Sequence, residues 1–102
     1  MATLHTVNKS PFERGAMASC FAHVAQGDVV LMIEDAVVGA RRGTAFAKTV
    51  EQKRAICAIY ALGPDLAARG VKSDDLIEGV AIVDYDSFVD LAASNARVCA
   101  WL

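Results

Sequence analysis

The sequence has no apolar run that could cross a membrane. Its longest strongly aliphatic stretch, Val29 to Ile33, ends at Glu34 and Asp35, far short of the roughly 20 residues a spanning helix needs. No basic stretch leads into an apolar one at the start, where Met1 to Ser10 is patterned like a strand; this argues against a secretory leader. Cysteine is sparse. Cys20, Cys57 and Cys99 are an odd number with no C-x-x-C pair, which gives neither a disulfide framework nor a zinc signature. The chain is therefore expected in the cytoplasm with its thiols reduced and without a metal. An excess of positive charge is also missing. Ten Lys and Arg stand against twelve Asp and Glu, for a formal net charge of -2, so nothing favours a nucleic acid partner. Linkers, repeats and low-complexity tracts are absent as well.

What remains is a chain of 102 residues, 55% hydrophobic and 22% charged. That excludes a disordered segment, which needs low hydrophobicity and a large charge imbalance. The length is that of one domain, residues 1–102, with one core. A mean hydropathy of +0.36 is high for so small a body, whose surface is large relative to its volume. Part of that surface is expected to be covered by partners. The ending Trp101-Leu102 points the same way, since two large apolar side chains need a cover.

Short β-branched runs alternate with helical segments. Thr3 to Val7 reads as a first strand. Ser10-Pro11-Phe12-Glu13 reads as a helix start, with Ser10 capping, Pro11 in the first turn and Glu13 completing a capping box. This helix is predicted to run to about Gln26, where Gly27 stops it. Asp28 to Ile33 is a second strand, apolar enough to be covered on both faces. A short helix from Asp35, a break over Gly39 to Gly43 and a helical piece at Phe46 to Lys53 follow. Ala55 to Leu62 is a third buried strand, ended by Gly63-Pro64; Asp65 to Arg69 is a helical turn closed by Gly70. Val80 to Val83, Asp86 to Ser94 and Arg97 to Leu102 complete the pattern as strand, helix and extended segment. The alternation predicts an α/β fold: a single-domain parallel-sheet sandwich with flanking helices.

Gly39-Ala40-Arg41-Arg42-Gly43-Thr44 only faintly resembles a phosphate loop. The glycine spacing is three rather than four and the lysine is missing, so a solvated loop is the better reading. Ligands of an open parallel sheet sit beyond the carboxyl ends of the strands. Those ends supply Asn8-Lys9-Ser10, Glu34-Asp35, Gly63-Pro64-Asp65 and Asp84-Tyr85-Asp86. The carboxylates could serve a cation or acid–base chemistry, but capping helices and closing turns explains them more simply. His5, within the first strand, reads as a satisfied structural histidine.

Cys20 is the thiol to consider. With Met17, Phe21 and Val24 as the core stripe of the first helix, it falls about 60° off the stripe's centre and is expected to be partly exposed. His23, three residues on, is close enough to contact it and to favour the thiolate. The alternative is an edge-of-core cysteine and a surface histidine. Cys57, inside the third strand, reads as inert packing; Cys99 could be either.

Leu4 to Glu13 strongly resembles the opening of the DsrH/TusB family. So do Tyr60 to Leu66 with Ala68-Arg69-Gly70, Val83-Asp84-Tyr85 with Phe88 to Leu91, and the ending Ala100-Trp101-Leu102. The resemblance spans essentially the whole chain and lies closer to DsrH, because Cys20 matches a cysteine typical of DsrH and usually absent from TusB. It implies a subunit of a cytoplasmic DsrEFH-like or TusBCD-like heterohexamer that relays persulfide sulfur, in oxidation of stored sulfur or in 2-thiolation of the tRNA wobble uridine. It further implies DsrE/TusD-like and DsrF/TusC-like partners, a DsrC/TusE-like sulfur acceptor and no cofactor. The main sulfur-accepting cysteine is expected on the DsrE/TusD-like chain. Cys20 is then a candidate secondary persulfide carrier with His23 as its neighbour, or the subunit is purely structural.

Overall fold

A computed structural model describes residues 2–102; Met1, at the start of the strand-patterned opening, lies outside the described residues. The elements in chain order are β1 (Thr3–Val7), α1 (Ala16–His23), β2 (Val29–Met32), a 3-10 segment (Glu34–Ala40), α2 (Ala47–Lys53), β3 (Ala58–Leu62), α3 (Gly63–Ala68), a 3-10 turn (Ser73–Asp75), β4 (Ala81–Val83), α4 (Tyr85–Ser94) and β5 (Arg97–Trp101). The strands form one sheet in the order β4-β3-β2-β1-β5, and every neighbouring pair is parallel. This is the α/β parallel sheet that the strand–helix alternation predicts. The chain steps from β1 outward to β4, and α4 then carries it back to the far side of β1.

Register partners point to the same face of a sheet. Val7, Val30, Met32, Ile59 and Ala61 share one face and pack against Met17, Cys20 and Phe21 of α1 and Ala47 and Val50 of α2. That face holds the main core. The other is more thinly covered: Leu4 and Leu31 are buried, but Val98 and Ala100 of β5 are exposed, and α4 contributes no buried residue. Tyr85, Val89, Val98 and Leu102 are among the large apolar side chains left in solvent.

Several boundaries differ from the sequence-based expectation, each for a local reason. The Ser10–Glu13 capping box does not start α1. Ser10 Oγ accepts from the backbone N–H of Phe12 at 3.1 Å, and its carbonyl accepts from those of Glu13 and Arg14. The result is a separate turn. The helix begins only after Gly15, which has no capping side chain. Its end comes at His23 rather than Gln26 because the Asp28 carboxylate accepts from the N–H of Ala25 at 3.0 Å, fixing the chain in a loop with Val24 extended. The third strand starts at Ala58, not Ala55. Residues 54–57 are held by carbonyls of α2 and its end, so Cys57 precedes the strand instead of lying within it. That strand is also less buried than predicted, with Ala58 exposed and Tyr60 half-buried. Gly63 and Pro64 belong to the first turn of α3 rather than to a break before it.

Candidate functional site

The carboxyl ends of the strands gather the residues expected there, and the carboxylates of Asp35, Asp65 and Asp84 are occupied with the chain itself. Asp84 caps α4 by accepting from the N–H of Ser87 at 2.8 Å, which holds its carboxyl below the usual range. Asp65 accepts from the N–H of Glu34 at 2.7 Å, at the one non-glycine residue with positive φ among those described, 50°. Asp35 receives both Nε and a terminal nitrogen of Arg69, at 3.1 and 2.9 Å. A helix cap, a contact across the sheet end and an ion pair account for Asp84, Asp65 and Asp35. Among the described residues, no group of three or more His, Cys, Asp or Glu could hold a metal ion. Arg41, Arg42 and Gly43 form an exposed loop, with Arg42 Nε on the carbonyl of Leu76 at 3.2 Å.

Cys20 is not partly exposed. It is fully buried, with a relative exposure of 0%. The stripe of α1 that faces the sheet is Met17, Cys20 and Phe21, with Val24 half-buried. An i, i+3, i+4, i+7 stripe is over 100° wide and takes in the residue assigned to its flank. Burial pushes the thiol up to about 12, and Cys99, Cys57 and Asp28 push it the same way. His23 is not among these influences. The carbonyl of Ser19 accepts from its Nδ1 at 2.7 Å, and its ring lies 5.6 Å from that of Trp101. The pairing of Cys20 with an activating His23 is therefore corrected on both sides: the thiol is sealed in, and the imidazole serves the helix and the indole. Cys57 is buried and donates its S–H to the carbonyl of Lys53 at 3.3 Å, as an inert thiol would. Of the three, only Cys99 is exposed.

The most organised polar group in the molecule centres on His5. Its Nε2 is 2.9 Å from Asp28 Oδ2, and its Nδ1 is 3.1 Å from Trp101 Nε1. Asp28 also accepts from the N–H of Thr3 at 3.0 Å. The expectation of a satisfied structural histidine holds. Its two partners were not legible: Asp28 reads in the sequence as the first residue of a strand, and Trp101 as a residue needing only an apolar cover.

The geometry defines a small open-sheet α/β protein with one thiol sealed beneath its first helix. Comparison with known proteins identifies its kind. The family model described as DsrH like protein matches residues 9–98. Protein TusB of Escherichia coli K12 is 30% identical over 98 residues, covering 96% of this chain and 99% of that one. Protein TusB of Erwinia tasmaniensis is 34% identical at the same coverage. The chain belongs to the DsrH/TusB family of sulfur-relay proteins. In fold it matches the ychN protein of Escherichia coli, with a TM-score of 0.80 at 15% identity, over 98% of this chain and 99% of that one. A protein of unknown function from Methanobacterium thermoautotrophicum gives 0.74 at 18%, over 96% and 97%.

Proposed function

We propose that this chain is a subunit of a cytoplasmic sulfur-relay heterohexamer of the DsrEFH type, built with DsrE-like and DsrF-like partners and delivering to a DsrC-like acceptor. The observation that carries the reading is membership of the family across nearly the whole chain. Two features support it: the apolar residues left exposed on α4 and β5, and the resemblance of Cys20 to a cysteine typical of DsrH. The second reading is the TusBCD-type complex of tRNA wobble thiolation, with TusD-like and TusC-like partners and a TusE-like acceptor. It is favoured by the name TusB on the curated relatives.

Relay chemistry is thiolate exchange. An acceptor thiolate attacks the outer sulfur of a donor persulfide, the S–S bond breaks, and the donor leaves as a thiolate; no oxidant or cofactor is needed. The attacking group must be ionised and reachable. Cys20 is neither in this fold, so we assign the chain the structural role in its complex, with the sulfur-accepting cysteine on the DsrE/TusD-like partner. Sulfur transfer by the co-purified complex with Cys20→Ser is the test. Unchanged assembly and unchanged transfer are expected. Intact assembly with lost transfer would make Cys20 a carrier after all.

A further inference from the structure

His5 is the midpoint of a hydrogen-bonded line that joins β5 to the loop ahead of β2. The indole N–H of Trp101 can only donate, so His5 Nδ1, 3.1 Å away, accepts. The single proton of the ring then sits on Nε2 and is donated to Asp28 Oδ2, 2.9 Å away. With Trp101 in place the imidazole is neutral, and both its nitrogens are used. His5 and Asp28 are buried, and Asp28 is further pinned by the N–H groups of Thr3 and Ala25.

The titratable groups around this line come from β5, from α1, from the loop before β2 and from Cys57 ahead of β3, which is buried and feels the Asp28 charge. On β5, Cys99 is the register partner of His5, and Arg97 two residues earlier is exposed. On α1 there are the buried Cys20 and His23, whose ring lies against the indole. From the loop before β2, Asp28 is the carboxylate that would meet an imidazolium.

A second proton on His5 has only Nδ1 to occupy, and there its N–H would point at the N–H of Trp101. Protonation keeps the contact with Asp28 and makes it an ion pair. It destroys the acceptor that holds the indole. We propose that His5 is a proton-operated latch on β5: neutral, it seats Trp101; protonated, it stays with Asp28 and releases the indole. The seated form excludes the second proton, so acid favours release and alkali favours seating. What is released is the end of an edge strand. β5 pairs only with β1, its first four residues are exposed, and Trp101 is the residue of β5 that packs against the core.

Trp101 is the only tryptophan in the chain, so intrinsic fluorescence of the whole chain reports on the latch directly. Emission and far-UV circular dichroism are followed together from about pH 8 to about pH 5, the range in which imidazoles titrate. The expected result is a reversible red shift of the emission on acidification, with increased quenching by iodide, while the circular dichroism stays constant. His5→Gln, which keeps an acceptor and a donor but cannot titrate, is expected to lose the pH dependence. His23→Gln is expected to retain it. A wild-type emission that does not change with pH would overturn the latch. So would a shift that coincides with loss of circular dichroism, or one that His23→Gln removes and His5→Gln keeps.

Discussion

Brief alkylation of the native chain should label Cys99 first and Cys20 last. The sequence alone points instead to Cys20 as the most reactive thiol and leaves Cys99 open. Cys20 has no exposed surface and is pushed by burial from 9.0 up to about 12. Below both values each unit lowers the thiolate population tenfold, so Cys20 presents about a thousandfold less thiolate than an unperturbed thiol, before any hindrance to the reagent is counted. Iodoacetamide would also need α1 to lift from the sheet. Cys57 should fall between the two: burial and then Asp28 raise it, and Lys53 opposes them. A short iodoacetamide pulse near neutral pH, an acid quench and peptide mass mapping give the order. The same pulse in guanidinium should bring the three rates together. Labelling of Cys20 as fast as Cys99 in the native chain would refute the seating of α1 and, with it, the argument for a structural role.

Phe21→Ala should cost about 3 to 5 kcal/mol, because the ring is 1% exposed and lies 5.8 Å from that of Phe46; urea denaturation checks this, and a loss near zero would place the core elsewhere. Asp28→Asn should flatten the acid limb of the stability curve. Burial raises the Asp28 carboxyl, but hydrogen bonds from Ala25, His5 and Thr3 together bring it below the ordinary aspartate value. A group depressed in the folded state contributes stability that is present above its unfolded value and lost as pH falls through its folded one, so wild type and variant should differ at neutral pH and converge in acid. Gly79→Ala should cost about 1 kcal/mol or more by thermal melting, since φ there is 91°, left-handed backbone that a side chain strains, while the Arg54 guanidinium over it can move aside.

Most of the element order was legible because it rests on local signals. β1 was placed by its β-branched run, and the turns by Gly27 and Gly70. The errors arose where two local signals competed or where a distant group decided. Ser10 can cap a helix or close its own turn, and here its hydroxyl and carbonyl close a turn over Phe12 to Arg14. α1 ended early because Asp28, across a loop, took the N–H of Ala25. The exposure of Cys20 depended on where the centre of an apolar stripe was drawn, which three residues define only within a residue's width. The His5–Asp28–Trp101 line joins positions 23 and 96 residues apart. No periodicity carries such a signal.

As proposed, this chain is a subunit and not a free-standing protein. Co-expression with DsrE-like and DsrF-like chains, followed by size-exclusion chromatography with light scattering, tests it most directly. One species with the mass of two copies of each chain is expected, and a self-associating or poorly soluble product when the chain is made alone. Removal of Trp101 and Leu102 should weaken that species more than it lowers the stability of the single chain. A compact, soluble monomer that elutes apart from the other two chains would contradict the account.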